Sequence, residues 1–404
     1  MMIRCFKLTL AIFLALAWTA SALAERKVTV SGSLDFLSAA DSNPSIANSG
    51  FLNLPDQGTT FSYSLFPSLS LRSTGPESQF QLSYSLGFNR FESRSGLNHE
   101  SHSFGAEFQS QLTKNLSMRL LDSFRKSPDF SSASFISGIG FDPAQGFFFE
   151  FDTVAVRRDS TANTAVLSFD YTLNPYSSLS FGSGYSFRTF EESPSFQDEL
   201  SDQNRIQSFL RYNRRLSANT SWNLGISAYH YDFKDFENVR TYEAGIGLNH
   251  ELSPRLSLSL SAGPSFVDAL QGGEDSAGYN AQVTLSKTLD RDSVSISYQR
   301  RSGASTGAGS VSDTHQLNLE YRRIWGRLTL DARASAYDTS QKVDNTVSTQ
   351  GYSAGLTASW AISEHWFISL GGSFLNQDGN AGFDLERNRV YIAMRYSLPD
   401  FWRF

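Results

Sequence analysis

Residues 239–263 read VRTYEAGIGLNHELSPRLSLSLSAG, and polarity alternates on both sides of Ser253-Pro254. Every second residue from Ala244 to Leu248 is apolar, and leucine alternates with serine from Leu256 to Ser261. A period of two is typical of a β-strand, because successive side chains point to opposite faces. The Ser-Pro pair supplies turn chemistry. The stretch therefore predicts a β-hairpin with one apolar face and one polar face.

Similar hairpins recur along the chain between short turns and longer polar segments. The short turns are predicted near Thr74-Gly75-Pro76, Lys114-Asn115, Asn174-Pro175, Ala218-Asn219, Ser253-Pro254, Asp290-Arg291-Asp292, Trp325-Gly326 and Ser363-Glu364. The longer segments are 39–58, 93–99, 127–160, 191–203, 233–239, 269–278, 302–312, 338–349 and 376–386. Together they join about 18 strands, within a range of 16–20. The sequence predicts an all-β fold: a transmembrane antiparallel up-and-down β-barrel with short periplasmic turns and long extracellular loops.

Residues 1–24 are predicted to be a secretory signal peptide, which leaves residues 25–404 as a single outer-membrane barrel domain. Arg4 and Lys7 precede an apolar run, and Ala22-Leu23-Ala24 offers a cleavage site. The run is shorter than the roughly 20 residues that a membrane-spanning helix needs. Cys5 is the only cysteine, so the mature chain has no disulfide and no thiol ligand or nucleophile.

Composition agrees with a sheet that has one face in lipid and one in water. The chain has 33 Phe and 16 Tyr residues, yet its mean hydropathy is −0.30. Removal of residues 1–24 lowers the count of Lys and Arg from 34 to 32 against 40 Asp and Glu, which gives a net charge of −8. An acidic chain gives no support to a nucleic-acid partner. The predicted location is the outer membrane of a Gram-negative bacterium.

Segment 127–160 is the least regular part of the chain, because Phe147–Phe151 is apolar without alternation. Three interpretations stay open for it: an inward loop that plugs the barrel, a short hairpin, or an extension of strands. Two further wall strands would bring the count to 20.

The chain ends in a pattern that is similar to the terminal strand signal read by the barrel-assembly machinery. Tyr396, Leu398, Trp402 and Phe404 occupy alternate positions at the C-terminus. Pro399 cannot donate to a β-ladder, so the paired strand is predicted to stop near Leu398.

Three segments carry a family resemblance: Asn204–Ser217, Thr220–Ala228 and Leu252–Leu258. Their Ser-rich alternation resembles a group of porin-like outer-membrane barrels that is often associated with exopolysaccharide production. The resemblance implies passage of polysaccharide or small hydrophilic solutes, and it implies outer-membrane lipid and the assembly machinery as partners.

Charged side chains follow the polar face of the predicted strands. Arg or Lys at the lipid midplane costs about 2–4 kcal/mol, so this face must meet water inside the barrel. The predicted pore-lining residues, with Asp35 on the same face, are Arg72, Glu107, Arg119, Asp170, Arg188, Arg205, Arg211, Glu243, Glu320, Arg322, Asp331, Arg333, Arg389 and Arg395. They form either Arg–carboxylate pairs that brace the wall or a charged lining that selects solutes. The excess of arginine favours anionic solutes or acidic glycans.

No pattern in the sequence points to catalysis, a metal or a cofactor. His99 and His102 are too few ligands for a metal site, and Asn376–Glu386 departs from the spacing of a calcium loop. We therefore predict a non-enzymatic channel. The alternative is a structural or surface-binding barrel with a plugged lumen, whose external loops bind a glycan or a protein partner.

Overall fold

The structure, a computed structural model, describes residues 27–42, 58–93, 95–129, 140–142, 146–148, 158–191, 202–234, 238–270, 275–304, 311–341, 348–379 and 385–403. Their strands are β1 (Lys27–Asp41), β2 (Thr60–Thr74), β3 (Ser78–Phe91), β4 (His99–Thr113), β5 (Leu116–Asp129), β6 (Gly140–Asp142), β7 (Gly146–Phe148), β8 (Arg158–Asn174), β9 (Ser177–Phe190), β10 (Gln203–Arg215), β11 (Thr220–Phe233), β12 (Val239–Ser253), β13 (Leu256–Ala269), β14 (Ser276–Thr288), β15 (Asp292–Ala304), β16 (Val311–Trp325), β17 (Leu328–Gln341), β18 (Ser348–Ala361), β19 (Trp366–Gly379) and β20 (Leu385–Arg403). One 3₁₀ turn covers Ser95–Leu97. Among these residues no helix is both long and apolar enough to cross a membrane.

Eighteen strands form one closed antiparallel sheet. Each wall strand pairs with the next wall strand along the chain, β5 pairs with β8, and β20 returns to pair with β1. This arrangement confirms the predicted 18-stranded up-and-down barrel. Because the last strand closes on the first, no edge strand is left unpaired in the wall.

All eight short turns lie where the sequence predicts them. The β16–β17 turn needs the residue that occupies it: Gly326 has φ of 58°, a conformation that L residues rarely adopt. The strands reach further towards the long connections than predicted, since β17 continues to Gln341 and β18 begins at Ser348. We refer to the two rims as the short-turn end and the long-connection end.

Within its described residues, segment 127–160 contributes a short hairpin and no additional wall strand. β6 and β7 pair only with each other, so the alternative count of 20 wall strands is wrong. β5 and β8 themselves extend into the segment, to Asp129 and from Arg158. The predicted plug falls largely on residues 130–139 and 149–157, which lie outside the described residues, as do the predicted signal peptide and Phe404.

The last strand continues beyond the point that the sequence predicts. Gly32 pairs with Leu398, and after an irregularity Val30 pairs with Trp402. The prediction that pairing stops near Leu398 was wrong, because a bulge accommodates Pro399 outside the ladder and the strand then resumes. Tyr396, Leu398 and Trp402 therefore all belong to β20, while their role in assembly stays a prediction.

The two faces of the wall differ as the alternation predicts. Leu69, Ile226 and Leu370 share the apolar face with exposed fractions of 52%, 57% and 59%. The opposite face is the concave one, because side chains of strands two apart meet there. The Tyr337 hydroxyl reaches across Gly351 of β18 to donate a hydrogen bond to Gln377 Oε1 at 2.7 Å. The leucines accordingly lie on the outer face, as in a barrel surrounded by lipid.

Asp122 departs from this division. The register places it on the outer face of β5, opposite Ala106 and Ala165. Its side chain is buried and accepts a hydrogen bond of 2.7 Å from Asn163 Nδ2. The small neighbours and the amide partner together let a carboxylate occupy the outer face of β5.

Candidate pore lining

The β-ladder register assigns every predicted pore-lining residue to one face. Directly opposed residues in adjacent strands share a face. Gln81 lies opposite Arg72 on one side and opposite Glu107 on the other. In the same way Asp170 lies opposite Ser117, and Glu320 lies opposite Arg333. All fourteen residues lie on the inner face by this criterion. Whether they line a conducting pore stays a prediction.

Several inner-face carboxylates form ion pairs with arginines of the adjacent strand. Arg119 Nε contacts Glu107 Oε1 at 2.8 Å between β4 and β5, and Arg322 Nε contacts Asp331 Oδ1 at 2.6 Å between β16 and β17. Arg395 pairs with Asp35 across the closing seam. These contacts have the geometry of pairs that brace adjacent strands.

Serine hydroxyl groups donate hydrogen bonds to two more of the predicted inner-face acids. Ser180 donates to Asp170 and Ser227 donates to Glu243 at 3.2 Å. Arg205 Nε in turn donates to Ser186 Oγ at 3.1 Å. The serines of the alternating pattern therefore satisfy inner-face charges as well as meeting water.

The inner-face arginines differ in whether they have hydrogen-bond or ion-pair partners. Arg188 and Arg211 have partners of their own. Arg72 and Arg333 have no hydrogen bond or ion pair among the described residues, and Arg333 is exposed. Arg389 also has none, although its Nε is buried. The inner wall thus combines bracing pairs with cations that no carboxylate neutralises.

Sequence reasoning missed the most buried ion pair of the wall. Arg387 Nε donates to both Asp41 oxygens at 2.9 and 3.1 Å, and Nη2 also contacts the carboxylate. Asp41 lies within the predicted long connection 39–58, and Arg387 directly follows the predicted connection 376–386. Continuing the alternation from Leu37 through Ala39 to Asp41 would have placed the carboxylate on the inner face.

Burial of the inner face changes along the barrel axis. Near the long-connection end Thr60, Thr241 and Thr349 are only 1%, 1% and 2% exposed. Towards the short-turn end the side chains of Arg322 and Arg395 are 56% and 53% exposed. The inner-face side chains are therefore exposed towards the short turns and buried at the long-connection end.

The residues considered as possible metal ligands have other partners in the structure. His102 Nδ1 is 2.9 Å from the Tyr84 hydroxyl, and His99 Nδ1 is 3.0 Å from the Leu97 carbonyl oxygen. Asn376 and Asp378 belong to the β19 ladder and not to a loop. Within the described part of the chain no three His, Cys, Asp or Glu residues cluster as a metal site.

Solved structures share the architecture, whereas no protein-family model and no curated protein matches the sequence. OccAB4 of Acinetobacter baumannii is 10% identical with a TM-score of 0.51, covering 95% of this chain and 99% of that one. OccK9 (OpdG) of Pseudomonas aeruginosa is 14% identical with a TM-score of 0.52, covering 92% and 98%. These proteins are outer-membrane porins. The chain shares their barrel fold. OccK2 (OpdF) of Pseudomonas aeruginosa, solved in complex with glucuronate, is 11% identical with a TM-score of 0.50, covering 92% and 98%.

The Glu107–Arg119 pair is expected to contribute little to stability. Both side chains are about one-third exposed, at 34% and 33%, and water screens such pairs. Glu107→Gln should lower the free energy of unfolding by less than about 1 kcal/mol. Urea titration of the protein refolded in lipid vesicles measures the change. A loss of several kcal/mol would show that the pair is a main brace of the wall.

Proposed function

We propose that the protein is a non-enzymatic channel of the Gram-negative outer membrane, through which small hydrophilic solutes diffuse. The observation that carries the proposal is the closed 18-stranded wall with leucines outside and serine, glycine, asparagine and arginine inside. A barrel of 16–18 strands is wide enough to hold an aqueous lumen. The long connections face the cell exterior, as in other barrels of this kind.

We also propose a preference for anionic solutes. Glu107, Asp331 and Asp35 are each paired with an arginine, whereas Arg72, Arg333 and Arg389 have no carboxylate partner among the described residues. The predicted lining together with Asp35 carries nine arginines against six carboxylates, so its formal net charge is +3 although the chain is acidic as a whole. The glucuronate in the OccK2 complex is an anionic solute of the expected size. Polysaccharide export gains no support from the comparisons.

Conductance in planar bilayers tests the proposal. We expect purified refolded protein to give discrete openings. In a KCl gradient, the reversal potential should have the sign that shows chloride passing more easily than potassium. Openings that favour potassium would contradict the anion preference. A folded barrel that never opens would contradict the channel.

A plugged barrel is the second candidate, because the inner wall is buried at the long-connection end. Thr60, Thr241 and Thr349 leave almost no surface to solvent there. Such a protein would act through its external surface, binding a glycan or a protein partner. Absence of openings, together with glycan binding by intact cells that display the protein, would favour this candidate over the channel.

A further inference from the structure

The closing strand β20 presents three arginines to the lumen, and its neighbour β1 offers only two carboxylates. Arg387, Arg389 and Arg395 lie on the inner face of β20. Asp35 binds Arg395, which is directly opposite to it in the ladder. Asp41 is directly opposite Arg389 but binds Arg387 instead. The diagonal contact leaves Arg389 without a carboxylate.

No other described residue replaces the missing anion. Among the described residues Arg389 has no hydrogen bond and no ion pair, and its Nε is buried without an acceptor. Ser373, the residue opposite to it on β19, contributes a neutral hydroxyl at most. A buried cation without a partner is costly, so the guanidinium is in a state that an incoming anion would stabilise.

The position of Arg389 gives it control over passing solutes. It lies on the wall next to Asp41 and Ala39, both only 2% exposed, at the long-connection end where the inner face is buried. Its residue is partly exposed although its Nε is buried, so Arg389 is not sealed off from solvent. Charges act more strongly in such a confined site than in the wide part of a pore, where water screens them.

We propose that Arg389 is the specificity-determining residue of the channel and binds the carboxylate of an anionic hydroxylated solute. Guanidinium and carboxylate fit each other in a bidentate contact, which gives orientation as well as attraction. The Arg387–Asp41 pair acts as a positioning element, because the nearest carboxylate makes its hydrogen bonds to Arg387 and none to Arg389. This inference rests on the proposed channel function and adds a site to it.

The experiment compares Arg389→Gln with Arg333→Gln. Arg333 is the matched control, because it is an inner-face arginine without a carboxylate partner among the described residues but is exposed. Glucuronate and glucose serve as charged and neutral probes of similar size. In planar bilayers we expect the half-blocking concentration of glucuronate to rise about tenfold in Arg389→Gln and less than about twofold in Arg333→Gln. Blocking by glucose should stay unchanged in both variants.

A conservative variant separates charge from geometry. Arg389→Lys keeps the charge and loses the bidentate contact, so it should fall between the wild type and Arg389→Gln. All variants are first shown to fold by the heat-dependent shift of electrophoretic mobility that closed barrels give. Equal effects of Arg389→Gln and Arg333→Gln would overturn the inference and assign selectivity to the net charge of the lumen.

Calorimetric titration of glucuronate into detergent-solubilised protein keeps the inference testable if the barrel does not conduct. Binding to the wild type that is lost in Arg389→Gln, without openings, would contradict the channel and support the anion site. Openings with glucuronate blocking that Arg389→Gln leaves unchanged would support the channel and contradict the site.

Discussion

Gly263→Ala is expected to destabilise the barrel more than any other replacement of one glycine by alanine. Gly263 lies on the inner face of β13, between the Glu243–Ser265 and Ile246–Ala262 pairs of the β12–β13 ladder. A Cβ atom there would overlap the Ala244 carbonyl oxygen and lie 2.6 Å from Gly245 Cα. Backbone cannot move aside as a flexible side chain can, so the two strands must separate. We expect a loss of about 3 kcal/mol in the free energy of unfolding.

Gly225→Ala is the matched control for this variant. Gly225 is an inner-face glycine of β11, and a Cβ atom there would be 3.7 Å from the Leu210 carbonyl oxygen, an ordinary contact. Its unfolding free energy should change by less than about 0.5 kcal/mol. Urea titration in vesicles and the heat-dependent mobility shift measure both variants. A Gly263→Ala protein as stable as Gly225→Ala would show that the β12–β13 ladder can adjust without cost.

The fold could be predicted because the period of two is a local signal that each strand carries separately. The Val239–Gly263 hairpin and its repeats specified the number of wall strands and the positions of the short turns. The prediction for the last strand was wrong at Pro399. Proline has no backbone N–H to donate, which in a sequence predicts the end of the β-ladder. In the barrel the ladder continues, because the first strand offers partners on the far side of the bulge.

The site could be predicted only in part. Alternation determines the face of a charged side chain, and the ladder places all the predicted inner-face residues together. Alternation does not determine which acid binds which arginine, because contacts such as Glu107–Arg119 are diagonal in the ladder and do not join directly opposed residues. Asp41 and Arg387 are 346 residues apart. Only the closure of β20 on β1 brings them together, and their contact decides that Arg389 is left without a carboxylate.

Asp41→Asn is expected to destabilise the closing seam strongly. The Asp41 and Arg387 side chains are only 2% and 9% exposed, and the carboxylate accepts from two nitrogens of the guanidinium. Asparagine would leave Arg387 and Arg389 side by side without the carboxylate of Asp41. Removal of one partner of a buried pair costs about 3–5 kcal/mol, because the remaining charge stays away from water. Urea titration in vesicles is the measurement.

Asp35→Asn provides a control on the same two strands, since it removes the same charge from a pair at the exposed part of the seam. The Arg395 side chain is 53% exposed and Asp35 is 21% exposed, so water can take over the solvation of the arginine. Its loss should be under about 1 kcal/mol. The double variant Asp41→Asn with Arg387→Gln should recover part of the stability, because it also removes the buried Arg387 charge that Asp41→Asn leaves without a carboxylate. Equal losses for Asp41→Asn and Asp35→Asn would mean that burial does not govern the strength of this seam.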